Sequence, residues 1–322
     1  MFFSPHLSPQ PMHLPDGFLS LLVAIVFWII STAIIGIALR QTKKTLGERQ
    51  VPLMGVLAAA IFAGQMLNFT VAGGTSGHLL GAAIAAILLG PWPAILVMTS
   101  VVAIQALLFQ DGGLLALGAN LFNMAIVGVF VSYTVFRGLR KLLQKQNWGL
   151  FVAGFVAAWS SIFIASLACG FELALSGTSP ANIAIPAMGA IHALIGIGEG
   201  LITLGMLTVI RAARKDLLDS NGKQQAGEKT VLIGGGLLAL LLAILSPLAS
   251  THPDGLEWVA EQQGFLFSAR ESLYTLLPDY SLPGVSNPVL TTIAAGVIGV
   301  IIVFVASYLF GRASKRNRPH AK

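Results

Sequence analysis

Apolar runs of roughly 18 or more residues without a charge recur from one end of this 322-residue chain to the other. Each is long enough to cross the hydrocarbon core of a bilayer as a helix. Only helices and closed barrels satisfy their backbone polar groups inside lipid, and runs this continuous lack the alternation of barrel strands. The expected fold class is therefore an all-α integral membrane protein, a polytopic helical bundle. Composition agrees: 55% of the residues are apolar and 10% are charged, against about a quarter charged in soluble chains. The mean hydropathy is +0.81.

The runs predict nine spans, near residues 18–39, 52–70, 78–90, 91–109, 114–136, 150–171, 187–210, 231–249 and 288–311. The third is short, and the Gly90-Pro91-Trp92-Pro93 break makes a tight hairpin with the fourth. Basic residues fix the orientation, because cytoplasmic loops carry the Lys and Arg. With the N-terminus outside and the C-terminus inside, segments 40–50, 137–147, 211–230 and 312–322 are cytoplasmic and hold 18 of the 19 basic residues. Only Arg270 falls outside them. The charge of +6 thus reports topology, not a nucleic-acid partner. The outer segments hold acids, among them Asp16, Asp111, Asp254, Glu257, Glu261, Glu271 and Asp279. These either raise the local cation concentration or are simply tolerated there.

The polar stretch RAARKDLLDSNGKQQAGEK (211–229) has no apolar periodicity and reads as a flexible linker. It divides a seven-span unit from a two-span unit. The single cysteine, Cys169, lies in a span, cannot pair within the chain, and is expected to pack.

Three histidines fall at the outer ends of spans in this topology: His13, His78 in GGTSGHLLG and His192 in IHALIGIGEG. Imidazole suits late transition metals. No HExxH or paired-cysteine spacing accompanies them. His13 directly follows Met12. If Met12 is the mature N-terminus, its amine, the backbone nitrogen of His13 and the His13 Nδ1 close two fused chelate rings on one ion. His78 then completes a planar set of four nitrogens, a geometry that favours Cu(II) or Ni(II). Protons compete for such ligands, so affinity should fall in acid. The preceding residues MFFSPHLSPQP conflict with this, because they make the Met12 nitrogen an amide. The segment lacks the basic start and apolar core of a signal peptide. Either translation begins at Met12 or the extension, residues 1–11, is trimmed.

Other residues have open roles. Gln65 and Asn68 share a face of span two and either orient His78 through hydrogen bonds or hold helices together. Glu199 reads as the one acid deep in a span, on the same helix face as His192. It meets a partner subunit, takes a proton, or bonds a neighbouring helix.

At these residues the chain resembles a known family. MHLPDGFLS (12–20), GQMLNFTVAGGTSGHLLGAAIAAILLGPWPA (64–94) and HALIGIGEGLIT (192–203) resemble the CbiM/NikM family, substrate-binding membrane components of energy-coupling-factor transporters for cobalt or nickel. The resemblance covers residues 12–210 and implies metal ligands at Met12, His13 and His78. SPLASTHPDGLEWVAEQQGF (246–265) resembles the PDGLE domain, counterpart of the two-span CbiN/NikN component, so residues 231–322 look like that component fused through the linker. The shared PDG of HLPDGF and HPDGLE reads as turn chemistry.

The resemblance implies a multi-pass plasma-membrane protein that captures Ni(II) or Co(II) as cargo, with no cofactor of its own. The chain has no GxxxxGK[ST] motif, so ATP hydrolysis is expected on separate CbiO/NikO-like subunits joined through a CbiQ/NikQ-like coupling protein. It is not expected to be an enzyme. The rivals are a self-sufficient secondary divalent-metal transporter, which needs a path of carboxylates, and a membrane metal-dependent hydrolase, which needs acid–histidine clusters.

Overall fold

The structure is a computed structural model that describes residues 12–47, 50–218 and 228–314. The extension 1–11, Arg49, the linker centre 219–227 with Lys223, and the tail from 315 onward lie outside the described residues.

Helices dominate. In order they are α1 (Leu21–Thr45), α2 (Gln50–Gln65), α3 (Ala82–Leu89), α4 (Pro91–Ile104), α5 (Leu117–Asn120), α6 (Gly128–Leu142), α7 (Gly149–Leu175), α8 (Ala181–Ala213), α9 (Glu228–Leu245), α10 (Gly255–Gln262) and α11 (Pro288–Ala313). A π-helical turn, Gln105–Phe109, prolongs α4, and a second, Leu121–Val127, joins α5 to α6. Seven stretches among the described residues are long and apolar enough to cross a membrane: Leu21–Lys44, Pro91–Phe109, Leu117–Leu142, Gly149–Leu175, Ala181–Ala213, Val231–Leu248 and Pro288–Ala313. The protein is a multi-pass membrane protein.

Two of the nine expected spans come out shorter. The second is the 16-residue α2. Of the helix expected over 78–90 only the eight residues of α3 form, after non-helical residues 78–81 and an antiparallel hairpin of β1 (Phe69–Val71) with β2 (Thr75–Gly77). The fold is therefore not purely α. The reason is local: Gly81 sits at φ +79°, a left-handed conformation that starts α3 late.

The two units pack tightly. Every α2 residue from Val51 to Gln65 is buried, as befits a helix that is apolar all round. α9 and α11 of the second unit lie against it. A Cβ on Gly299 would stand 2.2 Å from the Phe62 ring, and one on Gly235 2.0 Å from Val56. These glycines let the helices approach closely.

Overpacking such a contact costs about 1–3 kcal/mol. Gly299→Leu is expected to lower the melting temperature of the detergent-solubilised protein. Gly234→Leu, at an α9 position with open space around it, should leave it unchanged.

Candidate metal centre

The segment before α1 does not run free. Leu14 exchanges two 3.1 Å hydrogen bonds with the Asn120 side chain: its N–H donates to Oδ1 and its carbonyl accepts from Nδ2. The Asp16 carboxylate accepts from the backbone N–H groups of Leu114, Leu115 and Ala116 at 3.2, 2.8 and 3.0 Å. The loop after α4 thus holds residues 12–16 from one side, and Met12 and His13 are 3% and 5% exposed.

Asp111, which follows the π-turn of α4, receives them. Its Oδ1 accepts from the Met12 nitrogen at 2.7 Å and lies 3.2 Å from the His13 Nδ1. The His13 Nδ1 also stands 3.1 Å from the Asp111 carbonyl. The two nitrogens thus converge on one point. Burial opposes charge on the His13 ring, but the Asp111 carboxylate outweighs it and raises the ring above its ordinary pKa. Burial likewise opposes the Asp111 carboxylate, and His13, Tyr280 and Met12 together bring it below its ordinary value. The His13 Nε2 is buried without a hydrogen-bond partner. The chelate through Nδ1 requires the ring to give up Asp111.

His78 stands across from His13, with ring centroids 5.6 Å apart and planes at 88°. Two imidazoles on one ion place their centroids about 3.2 Å from it, given metal–nitrogen bonds of ~2.0–2.1 Å. A 5.6 Å separation lies within that reach. The His78 Nδ1 donates to the Leu79 carbonyl at 3.1 Å, which leaves Nε2 as the free lone pair. Two side chains hold the chain just beyond it. Both Glu199 oxygens accept, from Leu80 N–H at 2.7 Å and Gly81 N–H at 3.0 Å, and Gln65 Nε2 donates to the Leu80 carbonyl at 2.9 Å.

Met12, His13, His78 and His192 line one cavity of about 80 Å³. Organic ligands occupy roughly 300–1,000 Å³, so the space suits an ion. The His192 Nδ1 donates to the Met188 carbonyl at 2.8 Å, leaving its Nε2 free. Among the described residues no three His, Cys, Asp or Glu side chains are grouped to hold a metal.

Residues 13–217 match the family described as the cobalt uptake substrate-specific transmembrane region, CbiM. The chain belongs to the CbiM family. A PDGLE domain matches residues 229–316, so the CbiM region is fused to a second unit. A relative from Archaeoglobus fulgidus, named putative fused nickel transport protein NikMN, is 38% identical over 94% of this chain and 99% of its own. A Geobacter sulfurreducens protein named cobalt transport protein CbiM is 32% identical over 67% of this chain and 64% of its own. A solved structure described as a truncated transition metal transporter superposes with a TM-score of 0.56 at 35% identity, covering 62% of this chain and 99% of that one.

Several readings of the CbiM sequence change with the geometry. Gln65 donates to the Leu80 carbonyl and not to the His78 ring. Asn68 does not reach it either: its carbonyl accepts from Ser250 N–H at 2.8 Å, and its side-chain atoms are buried without partners. Of the alternatives for Glu199, the structure shows a bond to a neighbouring helix: it accepts from the backbone at the start of α3. It is also not the only deep acid. Glu172 is wholly buried within α7 and accepts from Asn123 Nδ2 at 2.8 Å; an α7 longer than expected carries it inside. Cys169 is buried and lines the cavity.

Asp111 and Asp254 do not belong to an acidic outer surface, being 1% and 4% exposed. Asp254, from the PDGLE domain, lines the cavity and caps α10 by accepting from Glu257 N–H at 2.7 Å. Burial pushes its pKa up to about 8. Beside it, the Pro253 carbonyl accepts from Ser76 N–H at 2.8 Å, alongside β2. Gly255 leaves room for the His192 ring, which a Cβ would approach to 2.9 Å. The sequence signal for Asp111 and Asp254 was faint: each is an acid beside glycine in an outer loop.

Replacing Glu199 by Ala strands two buried N–H groups, at on the order of 1–3 kcal/mol each. Glu199→Ala should lower the melting temperature and weaken nickel binding together, whereas Glu199→Gln, which keeps one acceptor, should fall between it and the parent.

Proposed function

We propose that this chain captures Ni(II) or Co(II) at the outer face of the membrane and delivers it as the substrate-binding component of an energy-coupling-factor importer. The convergence of the Met12 nitrogen, the His13 imidazole and the His78 imidazole on one small cavity carries this reading. The relatives' names, nickel and cobalt transport proteins, point the same way. Met12 is read as the mature first residue. The family match begins at the next residue, His13, which accords with that reading. A terminal amine can donate a proton to Asp111 and still offer its lone pair to the ion. Planar nitrogen ligation tilts the choice to nickel.

Orientation follows from charge. Lys43 and Lys44 close α1, Arg140 and Lys141 close α6, Arg211 lies in the last turn of α8, and Arg312 in that of α11. His13 precedes α1, a helix of 25 residues that spans about 37 Å, so it lies toward the end opposite Lys43 and Lys44. With those basic ends read as cytoplasmic, the rule that basic residues stay inside supports an outward-facing His13 and cavity. We keep the reading of nine crossings, with residues 75–80 and the eight-residue α3 taken together as the third. Extended chain at that depth is tolerated because it is buried in protein.

Within this reading residues 12–210 form the metal-binding unit, 211–230 the cytoplasmic linker, and 231–322 the PDGLE unit. ATP is hydrolysed by CbiO/NikO-like subunits and coupled through a CbiQ/NikQ-like protein. The rival secondary transporter needs a path of acids free to relay charge, whereas Glu199 accepts from Leu80 and Gly81 and Glu172 from Asn123.

Labelled nickel and cobalt uptake tests this. Cells with the full subunit set should accumulate metal, and cells with this chain alone should not; uptake by the chain alone would support the rival. In binding assays His13→Ala and His78→Ala should each weaken nickel by at least about 100-fold, more than the 10–100-fold typical of outer-shell partners.

A further inference from the structure

The PDGLE unit sends one side chain into the network behind the metal centre. Tyr280 is wholly buried, although it belongs to the outer loop between α10 and α11. Its hydroxyl donates to Asp111 Oδ2 at 2.6 Å and accepts from Gln105 Nε2 at 3.2 Å. Both hydrogen-bonding functions of the hydroxyl are thereby used. Its ring stacks on Phe109, with centroids 4.7 Å apart and planes at 18°. Burial first, and then the neighbouring Asp111 carboxylate, push the phenol well above its usual pKa, so it remains a neutral donor.

The backbone around Tyr280 is built to reach this point. Asp279 and Tyr280 have φ of +48° and +55°. Two successive non-glycine residues in the left-handed region are costly and persist only where surrounding structure enforces them. Here the enforcement is visible. Leu277 N–H donates to the Leu108 carbonyl at 3.0 Å, and the Tyr274 hydroxyl donates to the Leu107 carbonyl at 2.8 Å. Residues 274–280 are thus laid along the π-turn that presents Asp111. That turn departs from α-helical spacing at a functional site, as such turns often do.

The consequence is directional. Asp111 uses one oxygen for Tyr280 and the other for Met12 and His13. A carboxylate held on one side only can rotate about its Cβ–Cγ bond, and a partner fixed on the far side removes that freedom. Outer groups of this kind set the orientation and basicity of metal ligands.

We propose that Tyr280 of the PDGLE unit is a positioning residue for the metal centre: its hydroxyl locks the Asp111 carboxylate, which in turn holds the Met12 nitrogen in place for the ion and keeps the His13 ring at the cavity until the ion takes its Nδ1. This deepens the reading of Met12, His13 and His78 as ligands, and rests on it. The second unit then contributes to metal affinity through one hydroxyl, separately from its packing on α2.

The test uses the full-length chain purified from metal-importing cells, with nickel alone as the probe. Tyr280→Phe keeps the ring on Phe109 and deletes only the hydroxyl. It is expected to weaken nickel binding about tenfold, the lower end for an outer-shell partner, and to shift the ligand-field absorption of the nickel-loaded form. In cells, half-maximal uptake should move to higher nickel while the saturated rate holds. Asp111→Asn should weaken binding as well, and Tyr280→Phe added to Asp111→Asn should cost little more, because both act through one carboxylate. Parent-like affinity and spectrum in Tyr280→Phe would overturn the proposal. So would a loss that simply adds to that of Asp111→Asn, or one accompanied by a lowered melting temperature with an unchanged spectrum. His13→Ala and His78→Ala, run alongside, separate the two ideas. If they retain nickel, the ligand assignment itself fails; if they lose it while Tyr280→Phe does not, only the role of Tyr280 fails.

Discussion

A carboxylate that is 1% exposed loses several kcal/mol of hydration and keeps its charge only where partners replace the water. Asp111 has three such partners from two parts of the chain: the Met12 nitrogen and His13 ring from the segment before α1, and the Tyr280 hydroxyl from the PDGLE unit. Removing any one leaves the others with an incompletely paired buried charge, which is why the network behaves as a unit. The site is thus an electrostatic meeting point between an N-terminal segment, a π-turn and a fused second unit.

The other side of the cavity obeys the same accounting for backbone groups. Chain that enters a bundle in extended form brings N–H and C=O groups that lipid cannot satisfy. β2 is met by the Pro253 carbonyl, and the start of α3 by Glu199 and Gln65. This explains two costly features together: a deep carboxylate in α8 and a helix of only eight residues. It also explains why the PDGLE unit sits where it does. It covers α2, pairs along β2 and reaches Asp111, so the outer wall of the cavity is shared between the two units.

Much of this was legible in the sequence, for physical reasons that differ by element. The long apolar runs fix α1, α7, α8 and α11 because span length is set by bilayer thickness. That His13, His78 and His192 meet at one cavity was legible because each sits at the end of an apolar run, on the same side of the bundle. Residues 69–89 were not, since an apolar run reads alike whether it is helical or extended and buried. Glu172 escaped because helix ends are the least certain part of such a reading. Asp111 and Tyr280 escaped for a deeper reason: their partners lie roughly 100 or more positions away, which no local pattern records.

The central claim is that main-chain nitrogen at Met12 binds the ion, and the identity of the first residue in metal-loaded protein tests it most directly. Mass spectrometry of the amino-terminal peptide, taken from nickel-loaded protein that supports uptake, should begin at Met12. A peptide beginning at Met1 in protein that holds its metal would contradict the account, because the Met12 nitrogen would then be an amide bonded to Pro11.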